Sequence, residues 1–214
     1  MKTQNKTDEI LGLFKSLGPK LFFRTLGSLV FSINHYYFLG RNLEAKLNFP
    51  ALNIPPVECS AMDESDLVLL ENHAKLLSPD DRRELIGRIR FYESGFKNCY
   101  IIKKDDVITY LQWIIYPKEN SIIQEHYAKK FYPLDSDQVM IENAFTFPKH
   151  RGRGYLLFAT RQLLETARSQ GFTSAICYIR SDRIASLNEF LNMGFKIIRM
   201  IKEYKFLGKV WRTL

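Results

Sequence analysis

Between residues 139 and 179 the hydrophobic period changes twice, and that change limits the folds open to the chain. Val139 to Phe147 reads as an apolar strand. From about Gly152 to Gln170, Leu156, Ala159, Leu163 and Ala167 recur on one helical face, and Gly171 ends the run. Thr173 to Ile179 is again apolar and β-branched. A strand–helix–strand unit of this kind predicts two parallel strands joined by a right-handed crossover, and so an α/β fold.

The connection between the first strand and the helix is Phe147-Pro148-Lys149-His150-Arg151-Gly152-Arg153-Gly154-Tyr155. Amides exposed at such a turn, with the positive end of the following helix, form a site for phosphate oxygens. It is neither a Gly-x-x-x-x-Gly-Lys-Ser/Thr loop nor a dinucleotide fingerprint. The formal charge of +8 favours polyanionic partners, although excess lysine also simply keeps a basic chain soluble.

The remaining pattern completes an α/β order. A strand at Val57–Ala61 leads into a helix from Glu64, and Ser78-Pro79-Asp80-Asp81 opens another. Cys99–Lys103 and Val107–Ile115 form a hairpin. Residues 116–137 read as a long loop with some local structure. A helix from Arg183 to Asn192 and strands at Phe195–Ile201 and Glu203–Val210 follow.

Residues 1–52 read as an extension and 53–214 as the main domain, with Asn53-Ile54-Pro55-Pro56 as hinge. The extension carries a stripe of Ile10, Leu13, Phe14 and Leu17, a second stripe of Phe22, Leu26, Leu29 and Val30, and a short aromatic strand at His35–Leu39. Its helices suit packing on the domain, dimerisation, or peripheral contact with a membrane as a basic amphipathic pair. No apolar run is long enough for a membrane span, and no signal-peptide pattern is present. Cys59, Cys99 and Cys177 are distant from one another, which predicts reduced thiols and a cytoplasmic protein, with the inner membrane face as the place of any peripheral contact. No His/Cys/Asp spacing predicts a metal site.

The sequence of strand, Pro148, basic turn, helix, Gly171, strand, helix and Met193-Gly194-Phe195 resembles the GNAT superfamily of acyl-CoA-dependent N-acetyltransferases. That family's motif runs Gln/Arg-x-x-Gly-x-Gly/Ala. Arg151 and Gly154 match it, and Leu156 departs at the third place. Ser186, Phe190 and Gly194-Phe195 stand where the family places an Ala/Ser, an aromatic residue and Gly-Phe, with Arg183 in place of an asparagine. The resemblance implies a GNAT fold: a mixed central sheet with a splayed parallel strand pair, flanked by helices. It also implies acetyl-CoA, or another acyl-CoA, as co-substrate. Its pantetheine arm would lie along Asn143–Phe147, including Phe145 and Thr146. Its phosphates would meet Lys149, Arg151, Gly152, Arg153, Gly154, Tyr155, Leu156, Arg183 and Ser186. A weaker likeness, carried by the amino-terminal helices and Phe145-Thr146-Phe147-Pro148, is to members that accompany cell-surface polysaccharide synthesis, which implies an amino sugar as acceptor.

Acyl transfer to an amine needs a base for the amine's proton and a proton for the departing thiolate. Glu142, an acid within an apolar strand, is the candidate base, and its alternation with Met140 and Ala144 predicts that all three share one sheet face. Phe190 holds the position where many relatives have an acidic tyrosine; Tyr178, near the carboxyl end of its strand, is the candidate donor, with Ser186 as another, and many enzymes of this type let water protonate the thiolate. Two other readings remain open: a GNAT-fold module that binds acyl-CoA without turnover, and a nucleic-acid-binding protein. Scattered basic residues and the lack of an aromatic platform argue against the second, so nucleic acid is not an expected partner and a small-molecule amine is.

Overall fold

The computed structural model describes residues 31–45, 49, 57–207 and 209–213. The two expected amino-terminal helices and the hinge at 53–56 lie outside the described residues. The chain order is β1 (Phe31–Asn42), β2 (Cys59–Ala61), α1 (Glu64–Ala74), α2 (Pro79–Glu93), β3 (Cys99–Lys104) and β4 (Val107–Ile115). After them come β5 (Gln138–Thr146), α3 (Tyr155–Ser169), β6 (Ser174–Arg180), α4 (Ile184–Asn192), β7 (Lys196–Phe206) and β8 (Lys209–Arg212). The expected loop before β5 contains irregular helical turns from Pro117 to Tyr127.

The strands form one eight-stranded sheet in the order β2-β3-β4-β5-β6-β1-β7-β8. Only β5 and β6 pair in parallel among the described strands. Helices cover both faces, so the class is α/β with a mixed sheet and a parallel pair, as the resemblance implied. On one face Leu70 of α1 and Leu85 and Ile89 of α2 pack with Ile101, Trp113, Met140 and Tyr178. On the other, Leu157, Leu163 and Leu164 of α3 and Phe190 of α4 pack with Val139, Ile141, Ala175 and Cys177. The alternating side chains of β5 and β6 thus feed two cores, which is why both strands read as continuous apolar runs.

β1 corrects the expected extension. Phe31–Asn42 is not outside the domain; it lies between β6 and β7 and pairs antiparallel with both. Its Leu39 is fully buried. A strand paired on both edges reads locally like any short aromatic strand, because its partners are more than 130 residues away in the chain.

Local chemistry accounts for the starts of α1 and α2. Asp63 caps α1 in a reciprocal capping box with Asp66. Ser78 accepts the Asp81 amide ahead of Pro79 at the start of α2. α3 differs: its cap is Gly154, in the left-handed region at φ 75°, with no side chain bonded to its first amides.

Candidate active site

The parallel pair is short. β5 and β6 are in register from Gln138–Ser174 to Met140–Ile176 and then part. At the same level β5 bulges against β4: Trp113 faces Glu142, but Leu111 faces Phe145, so Asn143 and Ala144 share one partner position. Asn143 takes φ 56°, a conformation asparagine tolerates better than most residues. The extra residue reverses the alternation beyond it. Phe145 and Phe147 join Met140 in the core beneath α1 and α2, while Ala144 packs with Tyr110 and Tyr155 on the opposite side. The expectation that Glu142 and Ala144 share a face is therefore corrected, because period-2 counting fails across a bulge.

Glu142 sits in the fork. One carboxylate oxygen accepts the Tyr178 amide of β6 at 3.1 Å, and the other accepts the Asn143 amide at 3.1 Å. The residue is half-buried. Burial pushes its pKa up to about 7, against the opposing pull of Arg212, the two amides and Arg88. A carboxyl poised there exchanges protons near neutrality, as a general base must.

Arg88 of α2 spans the bulge. Its guanidinium donates to the carbonyl oxygens of Asn143 at 3.1 Å and Ala144 at 2.9 Å, and lies 4.9 Å over the Phe145 ring. Burial lowers its pKa to about 10, so it remains a cation. Towards the helix start, Glu84 pairs with Arg183 and Asp81 with Arg151, the latter at 2.5 Å. Arg151 also donates to the Thr146 carbonyl at 3.2 Å.

The basic turn has the makings of an anion site. Gly152 and Gly154 are both at φ 75°, which turns the chain sharply into α3 and leaves its first amides without side-chain caps. His150 is held below the usual imidazole range by burial and then by the charges of Arg153, Lys104 and Lys149. These donors and cations fit a polyphosphate. Among the described residues no group of three or more His, Cys, Asp or Glu side chains gathers to hold a metal. A shallow groove of about 330 Å³, lined by Cys59, Tyr100, Gln162 and Thr166 among others, shares no residue with the fork.

On the other side of Glu142 lies an aromatic wall around Arg212. This side chain bonds Glu203 at 2.9 Å and the Lys130 carbonyl at 3.0 Å, and lies 3.9 Å over the Tyr36 ring and 5.3 Å over Tyr178. The Tyr178 hydroxyl accepts the Tyr132 amide at 3.1 Å. Burial and then Glu142 raise the pKa of Tyr178, making it a reluctant acid.

Of the residues singled out in the sequence, Glu142 and Tyr178 meet at the fork through the Tyr178 amide, and Arg151 and Arg183 are held by neighbouring carboxylates of α2. Phe145, Phe147 and Tyr155 have buried side chains, leaving their backbone to face any ligand. Lys149, Gly152 and Arg153 are exposed on the turn, with Thr146, Leu156 and Ser186 half-buried. Phe190 is buried against Phe195 with ring centroids 4.9 Å apart. Sequence reasoning missed Arg88, Arg212, Asp81 and Glu84. Arg88 left one signal: a cation between Leu85, Ile89 and Tyr92 on an otherwise inward stripe.

At the level of sequence, no family model and no curated protein matches the chain. Solved structures match its fold. A GNAT-family acetyltransferase from Colwellia psychrerythraea has a TM-score of 0.54 at 15% identity, over 83% of this chain and 57% of that one. A GNAT N-acetyltransferase from Sphaerobacter thermophilus has 0.54 at 8%, over 88% and 57%. The glucosamine N-acetyltransferase region of a fungal multi-domain β-N-acetylglucosaminidase has 0.57 at 11%, over 90% and 22%. The chain thus spans less than two thirds of the length of the proteins it matches here. What is shared is the GNAT fold, with its mixed sheet and parallel pair.

Proposed function

We propose that the protein is an acyl-CoA-dependent N-acyltransferase, foremost an acetyltransferase, that moves the acyl group directly to an amine of a small-molecule acceptor in a ternary complex. One observation carries this reading: in a GNAT fold, β5 and β6 part around the Glu142 carboxylate, which accepts an amide from each of the two strands, with an uncapped basic turn at the end of β5.

Acyl-coenzyme A, when bound, supplies the activated thioester. Lys149, Arg151, Arg153 and Arg183 offer cations to its phosphates, and Gly152 to Leu156 offer amides. Glu142 takes the amine's proton, directly or through one water, and its pKa near 7 balances availability against basicity. The Tyr178 hydroxyl already accepts the Tyr132 amide, so its own proton is free to hydrogen-bond a departing thiolate. With a raised pKa it donates that bond without losing the proton, and solvent protonates the thiolate. Amino sugars are the first acceptors to test, since the fungal neighbour is described as acting on glucosamine; fold alone does not choose an acceptor.

The test is thermal denaturation with acetyl-CoA and longer acyl-CoAs, followed by thiol release with a panel of amines. Binding raises the melting temperature, and a matching amine releases coenzyme A. Absence of a shift with every acyl-CoA overturns the proposal. Phe190, buried where the resemblance places a tyrosine, favours a second reading as a binding module. Cofactor binding with only slow, amine-independent thioester loss selects that reading.

A further inference from the structure

Asp81, Glu84 and Arg88 lie three and four residues apart on α2, and so on one side of the helix. Each reaches the mouth or the edge of the fork. Asp81 holds Arg151 of the basic turn at 2.5 Å, and Glu84 holds Arg183 ahead of α4. Arg88 fixes the helix to β5 through the carbonyls of Asn143 and Ala144. One helix face therefore ties together the turn, the bulged strand and the start of α4.

We propose that α2 is an electrostatic latch on this site. Asp81 and Glu84 act as built-in anions that occupy Arg151 and Arg183 until a polyphosphate ligand replaces them. The inference rests on the reading of those two arginines as phosphate ligands. The carboxylates keep 21% and 31% of their side-chain surface exposed, and the arginines 52% and 47%, so both pairs remain open to exchange with solvent ions. Asp81 is also held below the usual carboxylate range by the Ser78 hydroxyl and then by Arg151, so it stays charged. A diphosphate offers each guanidinium the same fork of acceptor oxygens with more charge, whereas a single carboxylate on a ligand offers no gain over the residues already present. Arg88 is buried and bonded to backbone, so it serves as the anchor about which the amino-terminal end of the helix lets go. The latch makes phosphate binding and release of the two carboxylates at the amino-terminal end of α2 a single event.

The experiment compares wild type, Glu84→Gln and Asp81→Asn/Glu84→Gln by calorimetric titration with inorganic pyrophosphate and with coenzyme A. Glu84→Gln leaves the Ser78–Asp81 cap untouched; it also removes the 3.9 Å pairing of Glu84 with Arg88, whose bonds to the carbonyls of Glu84, Asn143 and Ala144 remain as the anchor. The latch predicts pyrophosphate binding tighter by about two- to threefold in the single variant and on the order of tenfold in the double, with the gap narrowing as salt is raised. It also predicts faster hydrogen exchange at residues 80–85 in both ligand-free variants. Equal binding in all three proteins overturns it, as does no binding in any. Weaker binding in the variants also overturns it, because the acids would then be orienting the arginines. Tighter pyrophosphate binding without any coenzyme A binding sustains the latch and refutes the cofactor reading.

Discussion

Glu142 is one charged residue in an apolar strand, and its chemistry depends on where two amides and two arginines happen to lie. Its folded-state pKa, at about 7, stands above the ordinary carboxylate value, so the folded chain holds this proton more tightly than the unfolded chain. The group's contribution therefore favours folding at acid pH and fades as pH rises from the ordinary carboxylate range through about 7. Glu142→Gln removes that dependence: its stability relative to wild type improves between weakly acid and weakly alkaline pH, by on the order of 1–3 kcal/mol, as urea denaturation across pH will show. The same variant lowers turnover at least about 100-fold while leaving acyl-CoA binding in place, and removes the rise of rate through neutral pH. Arg88 makes a complementary prediction. Arg88→Ala strands two carbonyls near the core and costs about 2–4 kcal/mol, and Arg88→Lys, a point charge without a fork, recovers only part of this in chemical denaturation. Glu142 was legible as an acid out of place. Arg88 was not, since its meaning depends on α2 crossing β5, more than fifty residues further along the chain.

At the level of elements, the unit from β5 through α3 to β6 carries the site, and its order was legible from hydrophobic period alone. The errors lie at its special points. The helix begins at Tyr155, not near Gly152, because both glycines hold left-handed conformations that a helix excludes. Nothing lies within 4 Å of where a side chain on Gly152 would begin, so substitution there is a test of conformation alone. Gly152→Ala should lower stability by about 1 kcal/mol in thermal denaturation and weaken acyl-CoA binding, with Gly152→Asn milder on both counts because asparagine tolerates positive φ. The bulge at Asn143 escaped a reading based on strict alternation, since one inserted residue changes no local composition. It nevertheless turns Phe145 into the α2-side core and opens β5 to Arg88. The carboxyl-terminal strands show the same weakness: one strand was expected to end at Ile201, but β7 runs to Phe206, and Leu207 at φ 47° begins the turn into β8.

On the scale of the whole molecule, the decisive fact is the position of β1 inside the sheet. A chain beginning at residue 53, the boundary drawn from sequence, would leave β6 and β7 with unpaired edges and remove the buried Leu39 and Leu43. That truncation is expected to abolish cooperative unfolding and disperse no native-like NMR spectrum, whereas one beginning shortly before Phe31 keeps every described strand. Sequence by itself determined the period of each major element, the basic turn and the α/β class, because all of these follow from neighbours within a few turns of chain. Its likeness to the GNAT pattern agrees with the fold observed. Tertiary structure alone decided which strands share an edge, how the bulge redirects β5, what surrounds Glu142 and which acids meet the arginines. Those are encounters between residues tens to more than a hundred positions apart, and local pattern holds no record of them. The same separation explains why the excess of basic residues was visible at once, while the pairing of Arg151 with Asp81 and of Arg183 with Glu84 was not.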